Sequence, residues 1–222
     1  KIREVPPMMI RINRRSALAM SALALVSPVL AEETKDKGKA MLEAASPLGD
    51  RVLGKADAPV VLIEYASATC PHCAEFHETL LPQIKAEYVD TGKVKFIFRE
   101  FPLDNNALAV FMLVRCLPED KFFATTDIIF KRQQLWAKAP NPGVEVTKIM
   151  TEMGMDKATF EACLKKEDLA KTLVEYSKKS AQDFGIKGTP ALFVNGEYVD
   201  GHKDMTDVKK ALDNAIAAAT TK

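Results

Sequence analysis

Residues 60–76 read Val60-Val61-Leu62-Ile63-Glu64-Tyr65-Ala66-Ser67-Ala68-Thr69-Cys70-Pro71-His72-Cys73-Ala74-Glu75-Phe76. Val60 to Tyr65 is an apolar, β-branched run that predicts a strand. Ala66 to Thr69 is a connection of small residues. After the cysteines, Phe76, Leu80, Leu81, Ile84 and Tyr88 recur at helical spacing, with Pro82 expected to kink the helix. This order sets Cys70 at the first turn of a helix, where backbone N–H groups are unpaired and the positive end of the macrodipole lies. Pro71 gives up no useful donor there and presets the backbone, while a protonated His72 would attract a sulfur anion. Both effects lower the pKa of Cys70. Residues three apart on a helical turn bring two sulfurs within disulfide reach, so Cys70 is expected to attack or be attacked and Cys73 to resolve. A site that favours the thiolate favours the dithiol, so it holds its disulfide weakly and passes it on.

Working outward, the 222 residues carry 31 Lys+Arg against 30 Asp+Glu and are 47% hydrophobic, the profile of a globular chain of one domain or two small ones. No stretch reaches the roughly 18 uninterrupted apolar residues of a membrane-spanning helix. Near-neutral charge without a basic stripe gives no footprint for nucleic acid. Residues 11–31, RINRRSALAMSALALVSPVLA, place three arginines before an Ala/Leu/Val-rich run ending at Ala31, the pattern of a secretory signal peptide. Lys1 to Pro7 precede a start at Met8 or Met9. The residues after Arg14-Arg15 match a twin-arginine signal poorly, so the general secretory route is expected.

An exported chain with an even number of cysteines is expected to oxidise them. Cys70 and Cys73 form a tight C-P-H-C, whereas Cys116 and Cys163 lie far apart in segments that both read as helical. A second disulfide between Cys116 and Cys163 is expected, the alternative being two buried free thiols. For Cys70 and Cys73 the alternatives are a purely structural bridge or half of a zinc site. Zinc needs two more ligands in a partner motif, and neither Cys116 nor Cys163 belongs to a second CxxC or an HxxxH. No metal is therefore assigned.

The strand, turn, CxxC, helix order is that of thioredoxin-like redox sites, and CPHC is the usual tetrapeptide of the DsbA-type thiol:disulfide interchange proteins, which the sequence resembles over most of residues 48–220. The resemblance takes in Val60–Tyr65, a second strand at Val94–Phe98, a long helical stretch, and Gly188-Thr189-Pro190 before Ala191–Val194. It implies an α/β, thioredoxin-like fold with an inserted helical domain. The organisation read from it is a leader at 1–31, a charged lead at 32–47 expected to be mobile or helical, a thioredoxin-like domain at 48–103 and 185–222, and the insertion at 104–184. It implies that Thr189-Pro190 is a cis-proline loop presenting backbone groups to an extended substrate. It also makes Glu64 a buried acid that handles protons for the inner cysteine, where the residues alone leave open a solvent-facing carboxylate. His77, one turn beyond Cys73, is expected on the helix surface.

The function so implied is an exported, periplasmic protein-disulfide oxidoreductase that donates the Cys70-Cys73 disulfide to reduced, unfolded polypeptides through a mixed disulfide. A membrane quinone reductase of the DsbB type would reoxidise it, and no organic cofactor is implied. The alternatives are an isomerase or reductase of the same fold, or a chaperone whose cysteines only brace a groove. Dimeric isomerases carry a separate dimerisation domain ahead of this core, and residues 32–47 are too short for one, which favours a monomer.

The remaining signals are scaffold. Helices are expected over Ala107–Leu117, Glu119–Gln134, Thr147–Met153, Lys157–Lys165 capped by Asp156, and Glu167–Phe184, with a break at Pro140-Asn141-Pro142-Gly143. Their lengths do not recur as a repeat. Phe122, Phe123 and Phe130 fall at core spacing, and Met150, Met153 and Met155 read as packing residues. Asn195-Gly196 signals a hairpin between two short strands, and a final helix is expected from Thr206 to Ala219.

Overall fold

A computed structural model describes residues 38, 40–42, 44–200 and 205–220. The leader at 1–31 and half of the lead at 32–47 lie outside the described residues. A five-stranded sheet of order β1-β3-β2-β4-β5 forms the centre, built from β1 (Arg51–Leu53), β2 (Val60–Ala66), β3 (Val94–Glu100), β4 (Ala191–Val194) and β5 (Glu197–Val199). β2 and β3 run parallel, and the other three pairings are antiparallel. β1 is an element the sequence reading missed: three residues are too few to show a period. Gly54 ends it with φ +95°, where a Cβ would meet the Val94 carbonyl at 2.8 Å, so only glycine fits.

Strand alternation divides the side chains between two cores. Val60, Leu62, Val94, Phe96 and Phe98 face one way, under the active-site helix and the C-terminal helix. Ile63, Tyr65, Ile97 and Phe193 face the other. By the same parity Glu64 falls on the active-site side, and it is fully buried there. On the opposite face the buried Arg99 donates to Asp50, to the Tyr65 hydroxyl and, at 3.0 Å, to the carbonyl of Met41. A short piece of the charged lead is thereby docked onto the sheet, with Met41 buried.

Helix α1 starts at Pro71–Glu75 and continues unbroken through a π-helical turn (Phe76–Leu80), Leu81–Ile84 and a second π-helical turn (Lys85–Val89). Pro82 therefore does not break the helix. Lacking an N–H, it cannot complete an α-helical bond, and the wider turn just before it absorbs the misfit. After β3 come α2 (Asn105–Cys116), a 3-10 turn (Glu119–Lys121), α3 (Phe122–Lys131), α4 (Gln133–Ala137), α5 (Pro142–Glu152), α6 (Lys157–Leu164) and α7 (Glu167–Phe184). The expected single helix over Glu119–Gln134 is instead three pieces, broken at Arg132. The helix expected from Thr147 begins at Pro142, because proline at the first helical position costs no bond and starts a helix as readily as it ends one. α8 (Met205–Thr220) closes the chain.

The hairpin at Asn195-Gly196 has φ of 49° and 84°, values that asparagine and glycine tolerate best. Asn195 also ties the hairpin to β2, its Oδ1 accepting from the Val61 N–H at 2.8 Å.

Candidate active site

Three segments converge on the cysteines: the first turn of α1, the loop before β4, and α4 of the helical stretch. Cys70 is the N-cap of α1 with extended backbone, and Pro71 occupies the first helical position. Both cysteines are present as free thiols. Cys70 keeps 7% of its surface and Cys73 none, so only Cys70 offers an edge to another molecule.

Electrostatics separate the two sulfurs. The Cys70 thiol is pulled down from 9.0 to about 5, chiefly by a hydrogen bond from the Cys73 thiol. Burial opposes this, while the Thr189 side chain and the backbone N–H groups of Cys73 and His72 assist. Thr189 acts in two senses, since its carbonyl lies 3.0 Å from Cys70 Sγ and accepts a bond from the thiol form. His72 contributes its backbone N–H, and its exposed imidazole lies 3.7 Å from Glu75. The first-turn N–H groups contribute, but the largest cause is the partner sulfur, which the sequence reading did not weigh. Cys73 is pushed well above 9.0 by burial first, then by its bond to Cys70 and by the charge of Glu64. Two thiols three residues apart thus differ widely in acidity, one ready to carry charge and the other to hold a proton.

The Thr189-Pro190 bond is cis, and Thr189 is buried beside Cys70. Next to this loop a cavity of about 360 Å³ is lined by Phe184, Ile186, Lys187, Ala191 and Tyr198. A cavity of about 750 Å³ lies elsewhere, against Arg51, Arg115 and Cys116, away from the reactive sulfurs. Cys116 and Cys163 are bridged, with Cα atoms 6.2 Å apart, which pins α2 to α6.

Beneath Cys73, Glu64 has no exposed surface, and its Oε2 lies 2.9 Å from Nε2 of His77. The surface position expected for His77 is wrong. Its side chain is 1% exposed and is ringed by Phe76, Phe98 and Phe130 at centroid distances of 5.8, 5.7 and 4.2 Å. The helical stretch supplies that ring's third member, and from sequence alone nothing shows which helix covers α1. Burial alone would lower the His77 pKa, but the charges of Glu64 and Asp127 outweigh it and raise it to about 9.

Gln133 was also missed. Buried at the start of α4, its Nε2 donates at 2.9 Å to the carbonyls of both Ala68 and Cys70. It satisfies two carbonyls at the turn where the peptide leaves the sheet, and so fixes the direction in which the first N–H groups of α1 point. Asp104, the N-cap of α2, accepts from Thr69 Oγ1 at 2.6 Å and from Ala107 N at 2.8 Å, holding the same turn from the other side. Among the described residues no cluster of three or more His, Cys, Asp or Glu side chains could hold a metal.

A thioredoxin family model matches residues 46–214, and the chain belongs to that family. Within it, the chain is 30% identical over 203 residues to a putative protein-disulfide oxidoreductase of Rickettsia bellii, covering 90% of this chain and 78% of that one. A similarly named Rickettsia prowazekii protein is 32% identical over 174 residues, 78% of this chain and 64% of that protein's length. A probable disulfide bond formation protein D of Bacillus cereus is 28% identical, with 90% and 93% of the two chains covered. Among solved structures, α-DsbA1 of Wolbachia pipientis superposes with a TM-score of 0.72 at 27% identity, over 82% of this chain and 98% of that one. These likenesses, with the CPHC dithiol at a helix N-terminus, define a DsbA-type disulfide oxidoreductase.

Proposed function

We propose that the protein is an exported dithiol oxidant that donates the Cys70-Cys73 disulfide to reduced polypeptides. The reading rests on one observation: Cys70 is held as an anion at about pH 5 and above while Cys73 is buried and kept protonated. A substrate thiolate attacks Cys70 Sγ, the Cys70–Cys73 bond breaks, and Cys73 takes the electron pair and a proton. A second substrate thiolate then attacks the substrate sulfur of the mixed disulfide, and Cys70 leaves as its stable thiolate. Glu64, buried next to Cys73, is the proton carrier in this scheme. Thr189 and Pro190 receive an extended substrate through main-chain bonds, a mode that tolerates many sequences, and the adjoining cavity accepts an apolar side chain.

The signal-like residues 11–31 support export, with a periplasmic setting in which reduced polypeptides are the substrates and a DsbB-type quinone reductase the reoxidant. The chain acts as a monomer in this reading and needs no organic cofactor. Three measurements test it. Cys70→Ala must abolish oxidation of a reduced model peptide, and Cys73→Ala, mixed with the disulfide form of that peptide, must hold one peptide sulfur on Cys70 as a mixed disulfide while the other leaves as a thiol. The glutathione equilibrium of the native pair must lie on the oxidising side. Survival of peptide oxidation in Cys70→Ala would mean that catalysis does not reside at Cys70.

A further inference from the structure

We propose that His77 and Asp127 form the outer half of a proton path that starts at Cys73 and runs through Glu64 to solvent. This rests on the reading of Cys73 as the resolving cysteine.

Cys73 has no exposed surface, yet every half-reaction changes its protonation. When substrate sulfur bonds to Cys70 Sγ, the Cys70–Cys73 bond breaks, and the electron pair and one proton must both end on Cys73. On reoxidation the same proton must leave. Bulk water does not reach it directly. Glu64 is the nearest carrier, and its Oε1 has no hydrogen-bond partner, leaving a lone pair for that exchange. Glu64 is itself sealed, however, and a sealed carrier serves one proton and stops.

His77 supplies the outlet. Its Nε2 meets Glu64 Oε2 at 2.9 Å, and its Nδ1, which makes no hydrogen bond in this geometry, lies 3.5 Å from Oδ1 of Asp127, within reach of a small side-chain turn. The Asp127 side chain is 62% exposed. The charged and titratable groups facing the imidazole are Glu64 from β2 and Asp127 from α3, with Cys73 on its own helix. The remaining neighbours are the rings of Phe76, Phe98 and Phe130. A proton on this ring therefore has two exits, one toward Cys73 and one toward water. A buried ion pair is a poor stabiliser, since well-packed apolar residues of the same volume usually do as well or better. Its placement between the inner cysteine and an exposed carboxylate gives it a kinetic use.

In the step, the His77–Glu64 pair yields one proton to the departing Cys73 thiolate. The pair is then reloaded from water at Asp127. In the reverse direction Cys73 gives its proton to the pair as its sulfur attacks the mixed disulfide, and the excess proton leaves by the same route.

The test follows reduced protein mixed with oxidised glutathione, quenched in acid and read by mass spectrometry. Formation of the glutathione adduct on Cys70 is one rate, and its resolution by Cys73 is a second. In His77→Ala, resolution should slow by about 10²-fold, the low end for general acid–base transfer, and added imidazole should partly restore it. In Asp127→Asn, an exposed change that leaves the fold intact, resolution should slow by about tenfold and become dependent on buffer concentration. Adduct formation should be unchanged in both. A merely structural His77 would not respond to imidazole. Native resolution rates and a native pH profile in both variants would overturn the path alone, whereas failure of the native protein to form any Cys70 adduct would overturn the oxidoreductase reading with it.

Discussion

The Cys73 thiol is the chief cause of the acidity of Cys70, and replacing it separates that cause from the backbone. In Cys73→Ala the donor is gone, while the N–H groups of the first helical turn and the Thr189 loop remain. A hydrogen bond to a charged group is worth about 1.5–3 kcal/mol, and one pKa unit is about 1.36 kcal/mol. The Cys70 midpoint should therefore rise by about 1–2 units from about 5. In Cys73→Ser a hydroxyl takes over as donor, and the midpoint should stay close to the native value. With Cys116 and Cys163 bridged, Cys70 is the only titrating thiol in either variant. The ultraviolet absorbance of the thiolate against pH then reports it alone.

Alkylation gives an independent reading, provided it is done at low pH. At pH 7 a thiol with a midpoint of about 5 is roughly 99% ionised, against roughly 1% for one at 9.0. The weaker nucleophilicity of the more acidic sulfur, with a Brønsted slope of about 0.4–0.5, removes most of that advantage. At pH 5 the ionised fractions are about one half and about one in ten thousand. Native Cys70 should then outpace an ordinary cysteine by about 50-fold or more. If the alanine and serine variants titrate together at about 5, the helix N-terminus and not the inner sulfur holds the anion, and the assignment of causes above is refuted.

Further expectations concern the scaffold and its pH response. Gln133→Leu strips donors from the Ala68 and Cys70 carbonyls, and at about 1–3 kcal/mol per abandoned buried group the urea midpoint should fall markedly. The Cys70 midpoint should rise with it, since the turn that aims the N–H groups is released. Replacing both Cys116 and Cys163 by serine opens a loop of sequence separation 47, and should cost about 4 kcal/mol of unfolding free energy by the chain-entropy relation, with Cys70 alkylation unchanged. The stability of the reduced protein minus that of the oxidised one should rise between pH 5 and 9. Cys70 has its folded pKa depressed to about 5 from 9.0, so its contribution is lost as pH falls through 5 and is complete above 9. His77 runs the other way in both redox forms. Raised to about 9 from 6.5, it contributes fully below 6.5 and loses that contribution as pH climbs through 9. Thermal melts of the oxidised protein across that range, native against His77→Ala, isolate it.

How far the site could be read from the chain depends on how local each cause is. The strand, the turn, Pro71 and the CPHC spacing lie within a dozen residues, and their geometry follows from the first turn of a helix. Glu64 was half legible. Its place in an apolar strand left burial and exposure both open, yet parity decides it, because Leu62 and Glu64 must share a face once Val60 and Leu62 are core. His77, Gln133 and Asp127 were not legible, since each acts across the boundary between sheet and helical stretch. His77 sits four residues after Cys73, so helical spacing already sets it on the same face as that buried sulfur; what the sequence does not show is the segment that covers this face. His77 lies within the π-helical turn at Phe76–Leu80, where the helix is wider. The same turn lets the helix pass Pro82. If the two are linked, Pro82→Ala should let the helix tighten and carry His77 away from Glu64, dropping the imidazole pKa from about 9 toward its ordinary value, as read by the proton NMR shift of the ring against pH. An unchanged imidazole titration in Pro82→Ala would mean that the ring is held by Glu64 and the three phenylalanines alone, with the proline incidental to it.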